Sequence, residues 1–299
     1  MADAWSPTFP VDRALAGRLI AHRFPHLNVD DLEKVGVGWD HEVWRCGDVL
    51  FRFPHQRDGL TAAKEKASAL THLGPLLPLA VPMPVLYGQP TAEYPGHFVG
   101  YRWLDGQLPA RLPLTAQERA RAAPALARFT RTLHALPVAQ ATGWGLVQEG
   151  PRGSMRERAV SGRQRADQLK DTAFTDLAHR AAAAMDPPPA ECVDHERRVV
   201  HGDLHAGQVL FDAQHRLVGV IDWDSTAIGD PAFDLIMVYA FLPPSARAVF
   251  WAEYGVSSAA RRARHLALSY GLALLAQGVA TGDTAVRDEA AFSLKNALP

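Results

Sequence analysis

The order of elements along the chain predicts an α+β protein of two lobes, β-rich over residues 1–104 and mostly α-helical over 105–299. Three observations predict it. A length of 299 residues exceeds what one hydrophobic core usually serves, so two lobes with a cleft between them are expected. Runs rich in β-formers gather in the first third, whereas from about residue 245 onward the pattern is helical. Asp105-Gly106 follows the last early strand and marks the lobe boundary near residue 104.

The elements follow in order. Val11, Leu15, Leu19 and Ile20 recur at helical spacing after Pro10 and predict a short helix ending near Pro25. Glu42–Cys46 and Val49–Phe53 flank Gly47-Asp48 and predict a tight hairpin, with Pro54 stopping its second strand. Residues 60 to 73 are strong helix formers, and the Pro-rich run from Pro75 to Pro84 then forces an extended path. His97 to Leu104 reads as a strand, so five strands and one helix behind the hairpin fit the first lobe. In the second lobe Thr115-Ala-Gln-Glu118 has capping-box spacing, and Ala122, Leu126, Phe129, Leu133 and Leu136 continue one amphipathic helix. Val199-Val200, Val209–Asp212 and Leu217–Trp223 predict short strands, and the later helices are expected to stop at Gly255 and Gly278.

Composition excludes several classes of function. Lysine plus arginine (31) nearly balances aspartate plus glutamate (32), so no broad basic surface for DNA, RNA or an anionic membrane is expected, and any phosphate must be held locally. The two cysteines, Cys46 and Cys192, are too few for a disulfide framework. The opening Met-Ala-Asp-Ala-Trp lacks the order of a secretory signal, and the apolar stretch Leu235–Leu242 is shorter than the roughly 20 residues of a membrane span. The expectation is a soluble cytoplasmic protein.

One segment carries chemistry. His201-Gly-Asp-Leu-His-Ala-Gly-Gln208 is followed fourteen residues later by Asp222, in Ile221-Asp-Trp223. Phosphoryl transfer needs an acid to orient the attacking hydroxyl, a polar group near the metal, and a second acid that grips magnesium; Asp203, Gln208 and Asp222 stand at that spacing. Because the transition state is loose and anionic, positioning and charge neutralisation do most of the catalysis.

His201-Gly-Asp-Leu-His205, Ile221-Asp-Trp223 and Gly229-Asp-Pro-Ala-Phe-Asp-Leu235 together resemble the aminoglycoside phosphotransferase superfamily. Gly38-Trp-Asp-His-Glu-Val43, Phe51-Arg-Phe-Pro54 and Tyr101-Arg-Trp-Leu-Asp-Gly106 extend the resemblance through the first lobe. It implies a protein-kinase-like fold, with residues 1–104 as the nucleotide-binding lobe and 105–299 carrying the catalytic loop and a helical substrate-binding part. Within the superfamily, Gln208 and Arg52-Phe-Pro54 are more similar to macrolide 2′-phosphotransferases. That likeness implies transfer of the γ-phosphate of GTP, with Mg2+, to the desosamine 2′-hydroxyl of a macrolide antibiotic, ATP being a further possible donor. Two other readings stand beside it: a kinase for an aminoglycoside or another small hydroxylated metabolite, and a pseudokinase that only binds nucleotide.

Residue by residue, the resemblance implies catalysis by Asp203 and metal binding by Asp222 and Gln208. Gln208 is one methylene longer than the usual Asn, and a hydrogen-bonding brace is the alternative for it. His205 either meets the γ-phosphate or substrate hydroxyl or is a solvated loop histidine, while His201 braces the loop. In the first lobe Arg52 takes the place of a phosphate-binding lysine, and Glu65 is the nearest acid to pair with it, although Lys66 stands where the family pattern puts that acid. Gly36 and Gly38 form a turn over the phosphates, and Tyr101 to Leu104 corresponds to the linker that holds the purine. An exposed strand arginine, a surface glutamate, an ordinary turn and aromatic packing are the respective structural alternatives. Asp224 is either a surface charge or a contact for a substrate cation. Asp230 and Asp234 are expected to cap a helix and brace the loop. Phe250, Trp251, Tyr254 and Tyr270 are expected in the core more than in a substrate wall, and the Arg-rich segment Arg152–Arg165 argues against a polycationic substrate.

Overall fold

The computed structural model describes residues 8–299 apart from Trp39, Arg57, Asp58 and Pro151, and leaves the side chains of Thr61 and Ala62 outside the description. The opening Met-Ala-Asp-Ala-Trp and Trp39 of the first-lobe motif therefore lie outside the described residues. The chain divides into two compact units. One holds the described residues up to Leu76, then Ala80–Leu104 and Gly143–Gly145; the other holds Leu77–Leu79, Asp105–Thr142 and Leu146–Pro299.

The first unit begins with helix α1 (Arg13–Arg23), whose Asp12 cap accepts the Leu15 N–H at 2.8 Å. Strands β1 (Glu33–Val37), β2 (His41–Cys46) and β3 (Val49–Pro54) follow, then helix α2 (Gly59–Leu73) and strands β4 (Pro84–Gly88) and β5 (Phe98–Arg102). They form a five-stranded sheet in the order β1-β2-β3-β5-β4. The β2–β3 hairpin has the predicted turn, with Cys46 opposite Val49 and Gly47 at φ +58°. The unit holds two helices, since α1 packs Ala16, Leu19 and Ile20 into the same apolar cluster as Phe51, Phe53 and Phe98. Phe53 stacks on Phe98 with centroids 4.6 Å apart, a contact worth roughly 0.5–1.5 kcal/mol beyond its buried area.

The second unit opens with α3 (Ala116–Arg121), α4 (Ala123–His134) and α5 (Val138–Gly143). The Thr115–Glu118 capping box forms in both directions. The single helix expected beyond it is two, because Pro124 has no N–H to donate and its ring blocks the preceding turn. Helices α6 (Met155–Gln168) and α7 (Thr175–Ala183) lead to β6 (Arg198–Val200), β7 (Val209–Phe211), β8 (Leu217–Val220) and β9 (Ala227–Gly229). The chain ends with α8 (Ala232–Ala240), α9 (Pro244–Tyr254), α10 (Ala260–Thr281) and α11 (Thr284–Ala297).

Gly255 ends α9 as expected, but Gly278 lies inside α10 and the stop is Gly282, at φ +71°. A Cβ at Gly278 would come within 2.7 Å of the Arg287 backbone nitrogen, so this glycine lets α11 approach closely. Arg119 ties α3 to α11 through a two-pronged pair with Glu289 (2.7 and 2.6 Å) while its guanidinium lies between Phe241 and Phe292. Among the described residues no helix is long and apolar enough to cross a membrane. The α+β class read from the sequence is the class observed, with the sheet in the first unit and most of the described helices in the second.

Candidate active site

Two short ladders in the second unit position the chemistry-bearing loops. β6 pairs with β9 and β7 with β8, each antiparallel. The loop of residues 201–208 runs from β6 to β7, and the loop of residues 221–226 runs from β8 to β9. Each loop is therefore held at both ends by strands that also hold the other. Two further bonds join them directly: the Ile221 N–H donates to the Gln208 carbonyl at 2.8 Å, and His201 Nε2 donates to the Ile221 carbonyl at 2.9 Å.

His201 is fully buried, and its other nitrogen, Nδ1, accepts the Asp203 N–H at 3.3 Å. It braces the loop and touches no reacting position, as its place at the head of the motif suggests. Trp223 anchors the second loop by donating Nε1–H to the Val220 carbonyl (3.0 Å) with its ring edge-on to His201 at 4.8 Å. Between these anchors Asp222 adopts a left-handed backbone, φ 64° and ψ 66°, a conformation that costs a non-glycine residue roughly 1–3 kcal/mol.

A carboxylate from α8 supports the first loop from within. Asp234 is fully buried and accepts from the His201 N–H (2.8 Å), the Gly202 N–H (2.8 Å) and His134 Nε2 (3.0 Å). Burial pushes its carboxyl upward, yet the bond from His134, its charge and the backbone donors outweigh this and hold the group below the usual range. His134 is in turn held by the Tyr254 hydroxyl at 2.7 Å. Asp230 accepts the Ala232 N–H at 2.9 Å and pairs with Arg262 at 2.8 and 3.1 Å, so both acids of this segment brace the structure. Gly202 sits at φ +83°, and a Cβ there would meet the Ser225 carbonyl oxygen at 2.3 Å. Only glycine allows the two loops to approach so closely.

Asp203, His205, Gln208 and Asp222 are brought together on this frame. Asp203 is half exposed, and its Oδ2 lies 3.7 Å from His205 Nε2. His205 Nδ1 accepts the Gly207 N–H at 3.0 Å, so in the neutral ring the proton is on Nε2. The amide end of Gln208 lies 3.2 Å from that Nε2 and 3.2 Å from Asp222 Oδ2. As placed, the Gln208 Nε2–H donates to Asp222 Oδ2 and braces one loop against the other, while a half turn of the amide would bring its oxygen to the same position. With its oxygen turned toward Asp222 the pair would suit a hard divalent cation such as Mg2+, and the extra methylene of Gln208 does not carry its amide out of reach of Asp222.

Asp203 and His205 also line a cavity of about 160 Å³ within the second unit, together with Arg152, Arg158, Phe233 and Tyr270. Burial, and after it the Asp203 charge, push the Tyr270 phenol up, so it stays neutral, and its ring lies 5.1 Å from that of His205. Tyr270 thus belongs to a cavity wall, whereas Phe250 is core.

The first-unit candidates stand as follows. Gly36 lies in β1 opposite Val43, beside a bulge, and the Gly38 N–H closes the β1–β2 turn onto the His41 carbonyl at 2.8 Å. Arg52 on β3 approaches the His41 ring, with Nη2 3.4 Å from Nδ1. Asp40 beside it is held down to about 2, first by its hydrogen bond to His41, with the charges of Arg52 and Lys66 adding to this. Tyr101 is buried opposite Leu50, and Leu104 is half-buried just beyond β5. The structure does not bring Glu65 to Arg52: among the described residues the Glu65 side chain has no ion-pair or hydrogen-bond partner. Helix α2 buries Leu60, Ala67, Ala69, Leu70 and Leu73, while Glu65 is exposed. Lys66 is the α2 residue whose charge reaches the Arg52 and Asp40 group.

Sequence reasoning did not single out His134, whose bonds to Asp234 and Tyr254 span 100 and 120 residues and leave no local signal. It read Arg152 and Arg158 only as part of a basic segment.

A sheet-bearing first unit and a mostly helical second unit that carries both loops make a kinase-like fold. A sequence model of the phosphotransferase enzyme family matches residues 31–266, and the chain belongs to that family. It is 37% identical over 97 residues to viomycin phosphotransferase of Streptomyces vinaceus, a match covering 31% of this chain and 32% of that protein. It is 38% identical over 39 residues to the uncharacterized protein YcbJ of Bacillus subtilis (strain 168), covering 13% of each. The chain thus spans a third or less of the length of these curated relatives. Among solved structures, the GDP complex of wild-type aminoglycoside 2′-phosphotransferase-IIIa superimposes with a TM-score of 0.65 at 22% identity, over 96% of this chain and 98% of that one. The apoenzyme of macrolide 2′-phosphotransferase MphH from Brachybacterium faecium gives 0.57 at 23% identity, over 95% and 98%. At these identities the likeness establishes the fold.

Proposed function

We propose that the protein transfers the γ-phosphate of a nucleoside triphosphate to a hydroxyl group of a small molecule. The observation that carries this reading is the placement of Asp203 at a cavity wall while Gln208, on the same loop, reaches Asp222. In the proposed reaction the Asp203 carboxylate accepts the hydroxyl proton, the substrate oxygen forms its bond to the γ-phosphorus, and the bond from that phosphorus to the β-phosphate oxygen breaks. The nucleoside diphosphate leaves with the released electron pair. His205, its Nε2 proton directed toward the Asp203 and Gln208 side, holds the loop for this transfer. Asp222 and the Gln208 oxygen would hold Mg2+, which when bound offsets the charge of the phosphate oxygens.

The first lobe, residues 1–104, is the proposed nucleotide-binding part. Arg52 and Lys66 supply cationic charge there for phosphates, with Gly36 near the end of β1, Gly38 at the β1–β2 turn, and Tyr101 and Leu104 at the end of the sheet for the base. Glu65 has no part in this arrangement beyond surface charge.

For the acceptor and donor, Gln208 and Arg52-Phe-Pro54 support a macrolide 2′-hydroxyl and GTP. A second reading, a kinase for another small hydroxylated compound, is favoured by Arg152 and Arg158 in the cavity wall, because a macrolide's dimethylamino group and an aminoglycoside are both cationic. A coupled assay of purified protein with Mg2+, GTP or ATP, and a panel of erythromycin, kanamycin, viomycin and neutral or acidic polyols separates these. Turnover of erythromycin with GTP supports the first reading, and turnover only of non-cationic acceptors supports the second. Asp203→Asn should lower turnover by about 10²–10⁴-fold while nucleotide affinity persists. Unchanged turnover in that variant removes the assignment, and nucleotide binding with no transfer to any acceptor favours a pseudokinase.

A further inference from the structure

We propose that the cavity beside Asp203 is an oxyanion-recognising acceptor pocket, in which Arg158, with Arg152 behind it, holds a carboxylate or phosphate group of the hydroxylated substrate. The inference rests on the transferase reading above and adds the chemical class of its acceptor. Arg152 and Arg158 both line the cavity with Asp203. Their charges are not equally compensated. Arg152 is paired with Glu149 and donates to the Gly202 carbonyl, which fixes it to the catalytic loop. Arg158 donates Nη2–H to the Arg152 carbonyl at 2.7 Å, but its Nε is buried without a hydrogen-bond partner. No carboxylate among the described residues lies within ion-pair distance of Arg158.

Both guanidiniums lie against one ring, Phe233, at 4.8 and 5.3 Å from its centroid. The ring holds both side chains against the cavity. Burial first, then the charges of Arg152 and Arg165, push the Arg158 guanidinium down from its ordinary range, while the distant charges of Glu149 and Glu191 offset this only in part. A half-buried cation with like-charged neighbours and no acidic partner is costly, and an oxyanion at its guanidinium offsets that charge. Arg165 donates weakly to the Ser269 carbonyl at 3.4 Å and also has no acidic partner among the described residues. The same cavity is lined by Asp203, for the hydroxyl, and by the neutral Tyr270 phenol, for a further hydrogen bond. A volume of about 160 Å³ suits a compact polar group and the hydroxyl next to it. A polycation would meet two arginines here.

The test uses matched pairs of polyhydroxylated probes: gluconate against sorbitol for a carboxylate, and glucose 6-phosphate against glucose for a phosphate. Calorimetric titration of the wild-type protein should show the charged member of at least one pair binding about tenfold more tightly than its neutral partner. The pair that does so identifies the source of the oxyanion. Arg158→Ala should erase the preference, and Arg158→Lys, which keeps the charge and guards against a folding defect, should retain part of it. Nucleotide affinity should stay unchanged in both variants. Equal binding within both pairs, absence of binding by either charged probe, or a preference that survives Arg158→Ala would overturn the proposal. Transfer is scored separately with Mg2+ and nucleotide. An anion preference without phosphate transfer leaves the pocket standing and removes the transferase reading, whereas transfer to acceptors with no anion preference does the reverse.

Discussion

Replacing Asp234 with alanine tests the frame on which Asp203 stands. The change deprives the buried His201 and Gly202 amides and His134 Nε2 of their shared acceptor. Each stranded backbone donor costs ~1–3 kcal/mol, and removal of a buried, costly carboxylate returns part of this, so a net loss of about 3–5 kcal/mol is expected. Against a total stability of roughly 5–15 kcal/mol this is large, and it should lower the melting temperature by about 10 °C. Asp234→Asn should lose less, about 1–3 kcal/mol, because its oxygen still serves Gly202 and its amide can donate to the other tautomer of His134. The carboxyl is depressed in the folded chain, so its contribution is complete above the unfolded value near ~3.9 and is lost as pH falls through the lower folded value. The gap between wild type and Asp234→Ala should therefore be constant at neutral pH and close in acid. Urea titrations across pH measure the gap. A loss below ~1 kcal/mol for Asp234→Ala, or one that widens in acid, refutes this account.

Three further changes probe separate claims. Gly202→Ala places a Cβ against the Ser225 carbonyl and forces a left-handed alanine, itself a cost of roughly 1–2 kcal/mol; turnover should fall more steeply than thermal stability, as parallel kinetic and melting measurements will show. Asp222→Ala should abolish the Mg2+ dependence of nucleotide binding, and a metal titration matching wild type contradicts the role proposed for it. Gly278→Ala should destabilise by about 1–3 kcal/mol through its clash with Arg287, despite the ~1 kcal/mol gained in helix propensity, so a rise in melting temperature would show that α11 can shift at little cost.

Local signals carried much of the fold. The hairpin around Gly47, the Thr115 capping box and the α9 stop at Gly255 depend on residues close in sequence, and each formed as read. Errors arose where a local sign had a distant cause. Gly278 looks like a terminator in one dimension, but its missing side chain serves contact with Arg287. The break between α3 and α4 falls at Pro124, where the apolar spacing from Ala122 to Leu136 continues unbroken.

By itself the sequence determined that Asp203, Gln208 and Asp222 lie on two loops between short strands, because that motif spacing is set by short strands and tight turns. The tertiary structure alone decided what surrounds them. Asp234 and His134 meet across 100 residues, Glu65 is left exposed on α2, and Arg158 joins Asp203 at one cavity only when α6 packs beside the loop. Motifs record local geometry, whereas burial, charge compensation and cavity walls arise from packing between elements far apart in the chain.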